Sequence, residues 1–279
     1  KSSEWPLIDA FGICRQTILP LYRRPTFDSA LVTQLLFGEC YQTIAMTSDQ
    51  QWFKILHEDT GLQGWITTQA LKEIPGSDYN KFLNTDFQVV TSPIAAIEYL
   101  GTNLYLLPGS RLHFSDLELF NWQDHIGFTG SVRSHALKAD RSQLIDVAIK
   151  YVNAPYQAGG RSIFGLDELQ GFELIFSIAG YSWKSGQIPG KLIDPEDVLP
   201  GDLFIFKELE KKQVKYALYL GAEEVFWMDN RIKVSDLSEW EAFLRNIGIE
   251  FRSFSRGGSF ASKSHSAPAF GEGKLPFCI

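Results

Sequence analysis

The chain is poor in the residues from which reactive and metal-holding sites are usually built. Its 279 residues include 2 Met, 5 His and 3 Cys, the cysteines being Cys14, Cys40 and Cys278. An odd number of cysteines without metal-type spacing argues against a disulfide framework and against a zinc site, and leaves at least one thiol free. The histidines are His57, His113, His125, His135 and His265, so neither Cys nor His occurs between residues 136 and 264. No apolar run approaches the roughly 20 residues that span a bilayer. The opening KSSEWPLIDAFG has no apolar signal core either, which leaves the compartment, cytoplasm or cell envelope, open. Lys plus Arg number 26 against 33 Asp plus Glu, a net charge of −7, which disfavours a general grip on nucleic-acid phosphates.

What is present suits folded domains. Hydrophobic residues make up 44% and charged residues 21%, enough to bury ordinary cores. The aromatics, led by 21 Phe, favour short β-strands over a helical bundle. Residues 1–75 read as strands (ICRQTILPLYR, ALVTQLLFGECYQTIAM, QWFKILHED, GWITTQALKEI) punctuated by Pro25, Gly38, Gly61 and Gly64. That alternation predicts a small antiparallel barrel. Residues 76–138 are again strand-like after an acidic opening that suits a short helix. From 142 to 153, Leu144, Ile145, Ala148, Ile149 and Val152 recur at spacings of three and four, an amphipathic helix that Pro155 ends. ELIFSIA at 173–179 reads as a buried helix stopping at Gly180. The runs DLFIF, VKYALYL, VFWM and RIKVSDL then read as strands, so that 139–254 is an α+β domain. Residues 255–279 read as a Ser/Gly-rich tail.

Several of these strings resemble known families. The Gly38-Glu39 turn, the Trp52 strand and Gly64-Trp65-Ile66 resemble a bacterial SH3-like domain, and 76–138 resembles a second, more diverged one. The string NAPYQAGGRSIFGLDELQGFELIFSIAGY at 153–181, followed by Pro200-Gly201-Asp202-Leu203, resembles the start of the NlpC-type, papain-like cell-wall cysteine peptidases. The domain order further resembles the subgroup that cuts γ-D-glutamyl-L-diamino acid bonds. The implied fold is multi-domain: two small all-β SH3-like barrels, then an α+β papain-like domain.

The chemistry implied by the resemblance is a thiolate at a helix N-terminus beside an imidazole, which a second polar residue orients. Laid on this sequence, the thiol position falls on Glu168. A shift that aligns Gly171-Phe172 instead puts Leu169 there. The imidazole position falls on Lys215 and the third position on Trp227. No catalytic residue is therefore assigned: Glu168, Lys215 and Trp227 stand at degenerate positions. A Cys–His pair would require Cys278 and His265 to fold back from the tail, while Cys14 and Cys40, in strand-like runs, read as core residues.

Substrate features depart from the resemblance too. Ala158 replaces a Trp, Lys184-Ser185-Gly186-Gln187 replaces an Arg-Asp segment, and Ala30 and Leu62 stand where an acid and a Tyr would hold a substrate amine. The ligand-binding candidates are Tyr156, Asp167, Glu168, Lys215, Trp227, Leu62 and Ala30. Asp167 also reads as a helix cap, Glu168 with Lys215 as a salt bridge, and Trp227 as core. Gly159-Gly160-Arg161-Ser162 lacks the Gly-Lys-Ser/Thr ending of a phosphate loop. No metal and no cofactor is implied.

Two functions follow. The first is an inactive relative that binds a wall-derived peptide, another ligand or a protein partner in the cleft inherited from the enzymes. The alternative is an active γ-D-glutamyl-L-diamino acid endopeptidase, or another hydrolase, using Glu168 and Lys215. The oligomeric state is not legible.

Overall fold

A computed structural model of the chain describes residues 4–99, 101–113, 127–183, 190–208, 213–243 and 248–253. The tail at 255–279 with Cys278 and His265, the loop at 184–187 and His125 lie outside the described residues. The chain forms two compact units, residues 1–138 with 154–187, and residues 139–153 with 188–279. No helix among the described residues is long and apolar enough to cross a membrane.

In the first unit seven strands make one antiparallel sheet: β1 (Glu4–Ile13), β2 (Ile18–Tyr22), β3 (Leu31–Leu36), β4 (Cys40–Thr47), β5 (Trp52–His57), β6 (Gln63–Thr67) and β7 (Glu73–Ile74), in the order β3-β2-β6-β5-β4-β1-β7. Alternation sets the inward face. In β4, Tyr41, Thr43, Ala45 and Thr47 are buried while their neighbours Gln42, Ile44 and Met46 are only half-buried. The core so formed contains Cys14, Leu19, Leu21, Leu35, Tyr41, Ile55 and Ile66. Both Cys14 and Cys40 are buried, as their strand context predicts, and burial pushes both thiols up to about 12.

Helix α1 (Gly76–Asn84) leads into two three-stranded sheets. One orders β10 (Thr102–Leu106), β9 (Ala95–Tyr99) and β12 (Gly127–Thr129); the other orders β11 (Arg111–Leu112), β8 (Gln88–Val90) and β13 (Val132–Ser134). Val90, Ala95, Ile97, Leu106 and Leu112 share a core with Phe37 of the first sheet's β3–β4 turn. That turn needs Gly38: its φ is +83°, and a Cβ there would collide with the Arg111 carbonyl. Arg111 N–H donates to Phe37 O at 2.7 Å, which fixes β11 across the turn.

The chain leaves this unit for helix α2 (Arg141–Ile149) and returns at 154 to form the hairpin β14 (Arg161–Ser162) with β15 (Gly165–Leu166), then helix α3 (Glu168–Ile178). α3 begins at Glu168, where the reading of Asp167 as a cap puts it and five residues ahead of the apolar run at 173, because the Asp167 side chain accepts the Gln170 N–H. Its end is as expected. Gly180, at φ +83°, donates to Ser177 O and Tyr181 donates to Phe176 O, the paired bonds of a Schellman stop. Phe172, Leu174, Ile175, Phe176 and Ile178 are all buried, so this helix is enclosed nearly all round.

In the second unit α2 starts with a capping box between Asp140 and Gln143 and ends at Ile149, short of the expected 153. A six-stranded antiparallel sheet orders β16 (Lys191–Leu192), β21 (Gly248–Ser253), β17 (Leu203–Glu208), β18 (Gln213–Gly221), β19 (Glu224–Met228) and β20 (Ile232–Asp236). Leu237, read as the end of a strand, instead opens helix α4 (Leu237–Phe243), which sends Leu237 and Trp240 into a core with Phe204, Ala217, Val225 and Trp227. The Pro200-Gly201-Asp202 turn has a local cause: the buried Asp202 carboxylate accepts Leu199 N–H at 2.8 Å and pairs with Arg141 at 2.8 Å, while Arg141 also donates to Pro200 O.

Gly38→Ala should lower unfolding stability by about 2–4 kcal/mol, combining left-handed backbone strain with the collision at Arg111. Urea denaturation reads this directly, and an unchanged midpoint would contradict the packing described.

Candidate functional site

The start of α3 is where the resemblance places a nucleophile. Asp167 caps it with both carboxylate oxygens, Oδ1 accepting Gln170 N–H at 3.4 Å and Oδ2 accepting Gly159 N–H at 3.3 Å. Glu168 is the first helical residue and is half-buried. A carboxylate there is favoured by the helix dipole, as a thiolate would be, but it is a far weaker nucleophile. Tyr156 is 50% exposed and bridges to Leu166 beside this turn. The two barrel positions lie in loops: Ala30 is exposed, with its carbonyl accepting Arg23 N–H, and Leu62 is half-buried in the β5–β6 turn. Lys215 and Trp227 belong to the second unit. Trp227 pairs with Ala217, two residues from Lys215, so both point from one sheet face. Trp227 is 2% exposed, donates to Ser235 Oγ at 2.9 Å and carries the Lys233 ammonium 4.2 Å above its ring. Among the seven candidates, the first unit gathers Asp167 and Glu168 at one helix end, and the second places Lys215 and Trp227 on one face.

Gln170 has a structural task. β3 is the edge of the seven-stranded sheet, and its outward carbonyls are taken by side chains of the 154–178 segment. Gln170 donates to Val32 O at 2.9 Å and accepts from the Thr33 hydroxyl. Arg161 donates to Gln34 O at 3.1 Å, and its N–H donates to Gln34 Oε1 at 2.8 Å. A Cβ at Gly159 would lie 2.8 Å from Leu31 O, so only glycine permits this approach. The edge is thereby covered.

Beneath this joint lies a buried ion network. Arg161 holds Glu39 in a two-pronged pair, at 2.7 and 2.8 Å, with both side chains buried. Glu39 also accepts Leu36 N–H at 2.8 Å and lies 3.4 Å from His57 Nε2. His57 Nε2 is 3.5 Å from Asp59, which pairs with Arg111 at 2.5 Å; His57 Nδ1 meets the Thr60 hydroxyl at 2.9 Å. Burial alone would raise Glu39, yet Arg161 and His57 hold it well below the usual carboxylate range. Asp59 is likewise held low by Arg111 and His57 against its desolvation. For His57 burial acts downward, but Glu39 and Asp59 outweigh it and raise the imidazole. On α3, Glu173 is pushed up to about 7 by burial against the pull of Arg161, and its Oε1 has no hydrogen-bond partner among the described residues.

Glu39, His57 and Asp59 lie with their ligand atoms within 4.8 Å of one another, close enough for a cation. The donor set does not fit one. Two guanidinium groups already neutralise both carboxylates, and a divalent ion would be repelled by them. The cluster is a structural ion network. Sequence reading missed it because its members are scattered over 39, 57, 59, 111, 161 and 173, and no local spacing links them.

Residues 21–71 match the model of the bacterial dipeptidyl-peptidase SH3 domain. A solved NlpC/P60 family protein from Bacillus cereus ATCC 10987 superposes with a TM-score of 0.71 at 16% identity, covering 88% of this chain and 99% of that one. The fold is that of the NlpC/P60 proteins. A solved NlpC/P60 endopeptidase from Photobacterium damselae subsp. piscicida is also similar, with a TM-score of 0.65 at 15% identity over 88% of this chain and 73% of that one. No curated protein matches the sequence. The NlpC/P60 fold therefore persists here at very low identity, with the SH3 domain recognisable from its sequence.

The ion network makes two expectations. Glu39→Gln leaves the buried Arg161 charge without its partner and should cost about 3–5 kcal/mol, seen as a lowered urea midpoint. The second concerns pH. Glu173 and His57 bind protons more tightly when folded, so their contribution is complete at low pH and fades as pH rises, for Glu173 between the ordinary 4.5 and about 7. Glu39 and Asp59 act oppositely, losing their contribution as pH falls below the carboxylate range, and buried His113, lowered to about 4, also loses its contribution as pH falls. The melting temperature of Glu173→Gln minus that of the natural chain should thus climb from pH 4.5 to about 7 and then level. A difference that is flat across that range would contradict the burial of an ionisable Glu173.

Proposed function

We propose that this protein is a catalytically inactive relative of the peptidoglycan-peptide hydrolases, built as two SH3-like barrels (1–75 and 76–138), a degenerate papain-like α+β domain (139–254) and a tail (255–279), and that it binds a wall-derived peptide or a protein partner through the inherited positions. The two small sheets around Val90, Ile97 and Leu112 support the second barrel, and α2 with the six-stranded sheet supports the α+β reading.

One observation carries the loss of activity. Thiol hydrolysis needs a thiolate. Neither Cys nor His occurs between residues 136 and 264, and the two described cysteines are buried in the first unit with thiols near 12. Glu168 occupies the first turn of α3 instead, and an ionised carboxylate is a weak attacker of an amide. What is retained there, the Asp167 cap and the glycine joints at 159 and 180, keeps a fold and not a reaction. Tyr156, half exposed beside the same turn, is the side chain best placed to touch a ligand, with Ala30 and Leu62 as small or apolar positions where an amine-binding pair has gone.

The half-buried Glu168 favours the second reading, a hydrolase using Glu168 with Lys215 as acid and base. The two readings separate in one assay. Pure protein given L-Ala-γ-D-Glu-diamino acid tripeptide should show no cleavage by mass spectrometry. It should bind that peptide in calorimetry, about tenfold more weakly after Tyr156→Ala. Cleavage that disappears in Glu168→Gln, with folding intact, would replace the first reading by the second.

A further inference from the structure

The loop between β2 and β3 holds a large apolar side chain out in water. Arg23 N–H donates to Ala30 O, Arg24 N–H to Ser29 Oγ, Thr26 N–H to Arg24 O and Ser29 N–H to Thr26 O, so residues 23–30 form a closed, internally bonded turn. Phe27 at its tip is nevertheless 69% exposed. It does not stand alone. Phe27 lies 5.0 Å from Trp52 and 5.9 Å from Tyr22, ring centre to ring centre, and Tyr22 lies 5.9 Å from Trp52. The Tyr22 ring stands at 88° to Phe27 and 89° to Trp52. Rings at right angles form a corner, which receives an inserted side chain edge-to-face; a flat stacking face for a sugar would need one ring presented broadside.

Charge surrounds this corner in an unexpected sense. The chain is acidic overall, at −7, but the same loop exposes Arg23 and Arg24, whose guanidinium groups have no hydrogen bond or ion pair among the described residues. Asp28 is the loop's one acid, leaving it net positive by 2 − 1 = +1. Asp49, across the β4–β5 turn near Trp52, is committed to Thr47 and to Gln51 N–H. Exposed arginines that follow Tyr22 in the chain and share the loop of Phe27 match carboxylates flanking an apolar residue, because the guanidinium fork binds carboxylate in two-pronged fashion while the rings take the side chain between.

We propose that the Tyr22–Phe27–Trp52 corner, with Arg23 and Arg24, is a docking site for an extended peptide that carries carboxylates on both sides of an aromatic residue. The site extends the ligand-binding reading given above, since Ala30 closes the same loop, but none of its five side chains belongs to the start of α3. An acidic segment of a partner protein has the required chemistry; a free amine does not.

The test uses the full chain and a fluorescein-labelled, amidated peptide Gly-Glu-Phe-Glu-Gly, followed by fluorescence anisotropy. Saturable binding is expected, about tenfold weaker or more after Phe27→Ala and after R23Q/R24Q together, and unchanged by Glu168→Gln. The Gly-Gln-Phe-Gln-Gly peptide should bind at least as weakly as the variants do. Both sets of replacements are at exposed positions, and unchanged thermal melting establishes that each variant is folded. Absence of saturable binding, equal binding of the Glu and Gln peptides, or indifference to Phe27→Ala would overturn the proposal. Displacement by chitotetraose or by inorganic phosphate as effective as by unlabelled peptide would overturn it in favour of a glycan or a simple anion. Loss of binding in Glu168→Gln alone would do so as well, moving the ligand to α3. None of these outcomes depends on whether the wall tripeptide binds or is cleaved.

Discussion

The Glu39 carboxylate holds the first unit together. It sits in the β3–β4 turn, fully buried, and receives the two prongs of Arg161, a backbone N–H from Leu36 and the approach of His57. An isolated charge at that depth would cost several kcal/mol. The surrounding donors make it tolerable, and in doing so they tie a turn of the seven-stranded sheet to a segment more than 120 residues further along the chain. The neighbouring joints follow the same seam: Gln170 on Val32 and Thr33, Gly159 against Leu31, and Arg111 on Asp59. The α3 segment is therefore set on the edge of the sheet by directional polar bonds, which fix its position more sharply than apolar contact would.

The joints that set this fold are independent of whatever stands at the helix start. The residues that fix turns and joints answer to sterics and to hydrogen-bond satisfaction, and neither depends on whether residue 168 is a thiol. Asp167 caps α3 whatever follows it. Asp202 closes its turn with Arg141 whether or not an imidazole stands on β18. A catalytic triad, by contrast, depends on single side chains, and the proposed reading puts Glu168, Lys215 and Trp227 at its three positions. Trp227 is part of the second unit's core, packed with Phe204 and Trp240.

Much of this was legible beforehand. The strand alternation of 1–75, the short helix after Pro75, the Asp167 cap and the Gly180 stop are local properties, decided by neighbouring residues, and the structure bears them out, except that the run ICRQTILPLYR is not one strand: it breaks at 14–17, where the chain passes from β1 to β2. The boundaries that differ are also local: α2 stops at Ile149, short of 153, and Leu237 opens α4 and turns into the core with Trp240, one helical turn later. The buried network was not legible. Glu39, His57, Asp59, Arg111 and Arg161 are scattered along the chain, and only one of the five, Asp59, keeps as much as a third of its side chain in solvent.

That no thiol–imidazole pair lies within 136–264 follows from counting residues, which needs no coordinates, and the strand and helix periodicities are equally local. Which distant charges meet, and that Phe27 is held in water beside Tyr22 and Trp52, follows from the folded chain alone. Pairing of that kind depends on which strand edges and turns come together in space, a long-range outcome that no short window of sequence contains.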